Sequence, residues 1–281
     1  MDATAETIIT EVCDKHGEYQ AKCQDLMGRK FVTDCPDCDA ERVAEQKARE
    51  DLQRREARKR RLQDLVKGSL IPKRFAGYGF DDYQPPNDKA SKALATCRKY
   101  AERFEDRLQM GGGLVLCGTP GTGKTHLACA IANHVIREFY RVALFTSVTK
   151  MARAVKATYS PKSDRTEDQV IRDFVTPDLL ILDEVGAQRG TETELLLAQE
   201  IIDERYQEVR PTILISNLPE SELGRYIGER ALDRMYEGGG AVLAFDWESH
   251  RRAGKGRAYE HPEAMDMSPQ DQAVMAINGQ F

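Results

Sequence analysis

The run Cys117–His126, CGTPGTGKTH, restricts what this chain can fold into more than any other feature. Gly118 to Thr125 satisfies the spacing G-x-x-x-x-G-K-[ST] in full. It follows an apolar run, GGGLVLCG, and precedes HLACAIANHVIREFY, whose apolar residues recur at helical spacing. A strand, a glycine loop and a helix start in that order leave backbone N–H groups pointing into a concavity at the positive end of a helix, which is an arrangement that holds phosphate. Gly118, Thr119, Pro120, Gly121, Thr122, Gly123, Lys124 and Thr125, with His126 just beyond, are therefore the candidate nucleotide-binding residues. Lys124 is expected at the β- and γ-phosphates of ATP and the Thr125 hydroxyl at Mg2+.

The chain around this loop alternates between two periods. RVALFTSV, PDLLILDEVG, PTILISNLP and AVLAFDW read as strands, while the stretch from Lys89 to about Leu108, MARAVKATY and ETELLLAQEIIDERYQEV read as helices. Strands and helices in alternation imply a parallel sheet covered on both faces, so the expected fold is α/β, a three-layer P-loop sandwich. Asp183 and Glu184 end the apolar run LLILDE and should emerge at the carboxyl edge of that sheet, beside the glycine loop. Asp183 is then the candidate partner of Mg2+, and Glu184 the candidate group that orients or deprotonates an attacking water. Asn217, closing PTILISN, could hold that water from the other side. A nucleotide switch without fast hydrolysis would not require the last two.

With 281 residues and 41% hydrophobic content, the chain can bury one core of about 180 to 200 residues and carry a smaller appendage. The net charge of −5 offers no global attraction for nucleic acid, so any such contact must be local. Lys150, Arg153 and Lys156 are candidates, with Tyr159 or Phe145 as stacking partners, and so is the basic run RREARKRR at 54–61, although such runs commonly form a solvated helix flank. No apolar run approaches 18 residues and the first 20 lack the features of a secretion signal, which predicts a cytoplasmic protein with no membrane contact. In a reducing compartment the seven cysteines are free thiols or metal ligands. Cys13-Asp-Lys-His16 and Cys35-Pro-Asp-Cys38 are two pairs with the two-residue spacing of a tetrahedral Zn2+ site, with Cys23 as an alternative to His16. The expected division is a zinc module at 1–40, a charged helical linker at 41–68, the nucleotide-binding domain at 69–252 and a flexible tail at 253–281.

The series GTPGTGKT, LLILDE, ISN, GERALDRM and FDWESHRR resembles the AAA+ ATPases, and within them the DnaC/DnaI-type replicative helicase loaders and the related IstB-type transposition ATPases, over roughly residues 70 to 252. The resemblance implies ATP hydrolysis, with Arg234 as an arginine finger acting on a neighbouring subunit, Arg230 as a second candidate, and Arg251 contacting nucleotide within its own subunit. It also implies self-association of the ATPase modules, a DnaB-type hexameric helicase as partner, and delivery of that helicase to single-stranded DNA. Regulation of transposition on double-stranded DNA is the alternative. An amino-terminal zinc module departs from the helical amino-terminal domain of the best-known loaders and is similar to loaders of the second lineage and their phage relatives.

Overall fold

A computed structural model describes residues 7–26, 29–186 and 192–250. The chain forms two compact units, Met1–Arg60 and Arg61–Phe281. The first unit opens with a three-stranded antiparallel sheet, β1 (Thr7–Cys13), β2 (Gly17–Leu26) and β3 (Arg29–Val32), in the order β1-β2-β3. Cys13 pairs with Gly17 across a three-residue loop, and Gly17 has φ +83°, the left-handed residue such hairpins require. Helix α1 (Pro36–Gly68) follows and runs across the division between the units. Pro36 sits in its first turn with Asp37 and Asp39, where a missing N–H costs nothing and negative charge is favoured, so the helix starts five residues before the linker expected at 41. No residue of α1 is buried.

In the second unit α2 (Asp88–Glu102) and α3 (Phe104–Met110) precede β4 (Leu114–Gly118), α4 (Lys124–Phe139), β5 (Ala143–Ser147), α5 (Val148–Ala157) and α6 (Glu167–Val175). After these come β6 (Leu179–Val185), α7 (Glu192–Gln207), β7 (Thr212–Ser216), α8 (Glu220–Ile227), α9 (Glu229–Arg234) and β8 (Ala241–Phe245). The strands form one parallel sheet in the order β5-β6-β7-β4-β8. Their side chains divide by parity, except Val185, which follows the irregularity in β6 and joins the even-numbered face of that strand. Leu114, Leu116, Leu179, Ile181, Ile213 and Ile215 pack with α2 and α4. Val115, Cys117, Leu180, Leu182 and Leu214 pack with α5 through α9. A strand buried on both faces must be apolar at every position, which is why these runs read as continuous rather than alternating. The result is the three-layer α/β sandwich expected, with β4 central enough that its carboxyl end delivers the glycine loop between layers. None of the described helices is long and apolar enough to cross a membrane.

Candidate functional site

The glycine loop runs from the end of β4 to the start of α4. Gly118 has φ +113°, and a Cβ there would lie 2.6 Å from the Phe245 carbonyl oxygen; Gly123 has φ +98°, and a Cβ would lie 2.3 Å from the Tyr83 ring. Neither position admits a side chain. Both neighbouring strands hold the loop entrance, since the Gly118 N–H donates to Leu218 O at 2.9 Å and the Thr119 N–H to Phe245 O at 2.8 Å. The far side is pinned through the Thr122 carbonyl, which accepts from the Tyr83 hydroxyl at 3.0 Å and from Trp247 Nε1 at 3.1 Å. The His250 N–H donates to Gly121 O at 3.0 Å. Lys124 is 4% exposed, and its ammonium donates to Gly118 O at 2.8 Å and Thr119 O at 2.7 Å, inside the curl of the loop. His126, in the first turn of α4, is stacked on Tyr78 with centroids 5.1 Å apart and edge-on to Tyr83 at 5.6 Å. Burial lowers its pKa below the usual histidine range.

The acidic pair meets this loop from β6. The Thr125 hydroxyl donates to Asp183 Oδ2 at 3.2 Å, bringing together the two residues expected at Mg2+. Asp183 Oδ1 accepts from the Glu184 N–H at 2.7 Å, and burial raises the Asp183 pKa above the usual carboxylate range. Glu184 is exposed and has φ +60°, at a register irregularity between Leu182 and Val185 in the β6–β7 pairing. A bulky residue in the left-handed region is strained, and such strain concentrates where a side chain must be aimed. Asn217 lies exposed at the bend after β7. Its neighbours fix that bend: Ser216 Oγ donates to Val185 O at 2.6 Å, and the Leu218 carbonyl is the one that accepts from Gly118. Lys124, Thr125, Asp183, Glu184 and Asn217 are thus assembled at one sheet edge.

The remaining sequence candidates differ in what surrounds them. Arg234, at the end of α9, is ion-paired with Asp203 of α7, lies 4.7 Å from the Tyr206 ring centroid, and is 12% exposed. Arg230, one turn earlier, is exposed. Arg251 lies outside the described residues. Lys150, Arg153 and Lys156 project from the exposed face of α5, whose other face buries Met151, Ala152 and Val155. Tyr159 is 62% exposed beside them, but Phe145 belongs to the core and is unavailable to stack on a base. A side chain on the inward parity of β5 has no route to solvent.

In the amino-terminal unit the hairpin loop presents Cys13 and His16, and the start of α1 presents Cys35 and Cys38. Their four ligand atoms lie within 4.8 Å of one another. Cys13 Sγ to Cys38 Sγ is 3.5 Å, and His16 Nδ1 lies 3.7, 3.6 and 3.3 Å from the sulfurs of Cys13, Cys35 and Cys38. Tetrahedral Zn2+ with its usual bond lengths needs ligand–ligand edges of about 3.5 to 3.8 Å, so the donor set fits that ion. Backbone N–H groups of Lys15 and His16 lower the Cys13 pKa to about 6, favouring the thiolate that binds metal. The group contains His16 rather than Cys23, which is buried within β2 opposite Val32. Sequence reading missed Glu41, whose Oε1 lies 3.2 Å from His16 Nε2 and leaves Nδ1 to face the sulfurs. Its signal was its place on α1 one turn after Cys38.

Parallel order β5-β6-β7-β4-β8, with a glycine loop after β4, an acidic pair at the end of β6 and β7 inserted between those two strands, defines a P-loop nucleotide-binding protein of the AAA+ class. Residues 39–253 match the model of the IstB-like ATP binding protein family. This chain belongs to that family, and its matched span begins one residue after Cys38. Among curated relatives, the replicative helicase loader DnaC of Buchnera aphidicola subsp. Acyrthosiphon pisum is 34% identical over 205 residues, 73% of this chain and 82% of that protein. The replicative helicase loader DnaC of Escherichia coli (strain K12) is 32% identical over the same shares. A crystal structure of the DnaC helicase loader superposes with TM-score 0.56 at 25% identity, covering 62% of this chain and all of that one.

Proposed function

We propose that this protein is an ATP-dependent loader that binds a replicative hexameric DNA helicase and delivers it to single-stranded DNA in the cytoplasm. The observation that carries the reading is the 34% identity to a replicative helicase loader across most of both chains. The assembly of Lys124, Thr125, Asp183, Glu184 and Asn217 at one sheet edge supports the ATP-dependence. Lys124 leaves the loop carbonyls to engage the β- and γ-phosphates, while Thr125 and Asp183 would hold Mg2+, which supplies charge neutralisation when bound. Glu184 takes or orients the proton of the attacking water, and Asn217 holds that water opposite. Arg234, released from Asp203, or the exposed Arg230, reaches the nucleotide of a neighbouring subunit and stabilises charge in the transition state. The output of such a cycle is a change of partner affinity rather than product, so slow hydrolysis suffices. Lys150, Arg153 and Lys156 are the proposed contacts to single-stranded DNA, with Tyr159 as the stacking ring.

Glu184→Gln should leave ATP affinity unchanged and slow steady-state hydrolysis by at least about tenfold, because the amide keeps the hydrogen bond but not the base. An unchanged turnover would remove Glu184 from the chemistry.

The amino-terminal cluster is proposed to hold one structural Zn2+ through Cys13, His16, Cys35 and Cys38, fixing a sheet too small to support a core of its own. Metal analysis of protein purified under reducing conditions should give about one zinc per chain, and Cys35→Ser should lose it. A metal-free wild-type protein would sink the assignment.

The loader reading is tested by light scattering on this protein mixed with a replicative hexameric helicase, with and without ATP, and again after removal of residues 1–67. A defined complex that disappears with the truncation supports the reading and puts the docking surface on the amino-terminal segment. If no complex forms in any nucleotide state while ATP-bound protein assembles on duplex DNA, the transposition-regulator alternative replaces it.

A further inference from the structure

The run RREARKRR at 54–61 places six basic residues and one acid within α1. Every residue from Arg42 to Arg61 is exposed. An α-helix turns about 100° per residue, so Arg54, Arg55, Arg58 and Lys59 share one face about 140° wide, while Glu56 and Arg60 lie on the other side. Arg61 is engaged elsewhere, its Nη2 donating to Tyr140 O at 3.4 Å. Arg54, Arg55, Lys59 and Arg60 form no ion pair among the described residues.

Helix stability does not call for this face. Arg54 with Arg58, and Arg55 with Lys59, are like charges four residues apart, a spacing that destabilises a helix. The helix dipole favours cations in the last turn, which Lys67 occupies, whereas Lys59 lies about two and a half turns before Gly68. Ala57 is the single apolar residue of the run, so the helix has nothing there to bury in a lipid interface. Nor does α1 contain an aromatic residue, and single strands are held largely by stacking on aromatic rings. A helix does have the width that the major groove of duplex DNA admits, and continuous basic helices bind there without a surrounding fold.

We propose that α1 binds the backbone of duplex DNA, without sequence preference, through Arg54, Arg55, Arg58 and Lys59. The helix lies in the major groove, with Arg54 and Arg58 directed to the phosphates of one strand and Arg55 and Lys59 to those of the other. The attraction is local, since the whole chain carries a net charge of −5. The site differs from Lys150, Arg153 and Lys156 both in its element and in the form of DNA it takes. It does not depend on the loader reading, because duplex binding by α1 and helicase binding are measured separately.

The test is fluorescence anisotropy of a labelled duplex of about 20 base pairs, titrated with the full-length protein in ADP and Mg2+ at salt concentrations from about 50 to 200 mM. Wild type should bind with an affinity that falls steeply as salt rises. Each phosphate contact contributes about 0.9 to the slope of log K against log salt. Changing all four residues to Gln should therefore lower that slope by about 3 to 4 and weaken binding at least about tenfold at about 50 mM salt, and Arg55→Gln with Lys59→Gln should lower the slope by about 2. Arg60→Gln removes a charge from the other side of the helix and should change the slope by less than about 0.5. Glutamine is a good helix former and these positions are exposed, so the variants keep α1, which circular dichroism checks. No duplex binding at about 50 mM salt, an unchanged slope in the four-residue variant, or a loss from Arg60→Gln as large as that from the Arg55 and Lys59 pair overturns the proposal. A single strand of the same length, bound as tightly as the duplex and weakened as much by the four changes, overturns it in favour of single-stranded DNA.

Discussion

Lys124→Ala should lower affinity for ATP by at least about a hundredfold while leaving the fold intact. The ammonium is 4% exposed and donates to the carbonyls of Gly118 and Thr119, the oxygens that line the inside of the loop. Those bonds hold the cradle in its curled form. Alanine removes both functions, the closure of the loop and the positive charge offered to the β- and γ-phosphates. Charge-assisted hydrogen bonds of this kind contribute about 1.5 to 3 kcal/mol each, so losing even two corresponds to roughly a hundredfold or more. Equilibrium binding of a fluorescent ATP analogue, with thermal unfolding as a control for folding, measures the effect. Retained micromolar affinity would contradict the role assigned to the loop.

What made this loop legible is that its chemistry is local. Seven consecutive residues, from Gly118 to Lys124, supply the turn, the close backbone approach and the cation, and the apolar runs on either side leave one place in a parallel sheet for it. LLILDE was legible for the same reason, since a strand buried on both faces announces itself and its first acids mark the sheet edge. The strain at Glu184 was not, because a φ of +60° comes from the shifted pairing of β6 with β7, a long-range property. The amino-terminal sheet is only faintly written in the sequence: Tyr19, Ala21 and Cys23 alternate with polar residues along β2, but the period of two covers few residues between the metal-ligand pairs. Helix α6 also carried a signal, a capping box in which Thr166 receives the Gln169 N–H and Gln169 returns the bond. At nine residues it is too short for its apolar spacing to stand out in the sequence. The break between α2 and α3 at Arg103 has no proline or glycine to mark it, and nothing in the sequence would have revealed it.

Arg205 is the hardest residue of all to read and gives the largest expected effect on stability. In the sequence it is the single basic residue on an otherwise acidic helix. Yet it follows Leu197 and Ile201 at intervals of four along the inward stripe of α7, and its side chain is fully buried. Among the described residues no carboxylate is ion-paired with it. Nε donates to Thr212 Oγ1 at 2.9 Å, Nη1 to the carbonyls of Phe174, Val175 and Pro177 at 3.0, 2.7 and 2.9 Å, and Nη2 to Pro211 O at 2.6 Å. Burial lowers its pKa to about 9, which still leaves it charged at neutral pH. Phe174 and Val175 end α6, where the last carbonyls lack intrahelical partners and the helix dipole is negative; Pro177 and Pro211 lie just before β6 and β7. One cation therefore satisfies the exposed ends of a helix and the entrances of two adjacent core strands. Arg205→Met keeps the apolar stem but leaves the Phe174, Val175 and Pro177 oxygens buried without their donor, Pro211 O keeping the Leu180 N–H, and should cost about 4 kcal/mol, within the range for stripping the partner from buried charge-assisted bonds. For a domain of this size that is a fall in unfolding midpoint of roughly 8 to 16 °C. Arg205→Lys should recover less than half of the loss, because an ammonium has three donors radiating from one atom and cannot span five bonds directed from three. Chemical denaturation of the three proteins measures both differences. If Arg205→Met unfolds within about 1 kcal/mol of wild type, the carbonyls have other partners and the guanidinium does not hold these elements together.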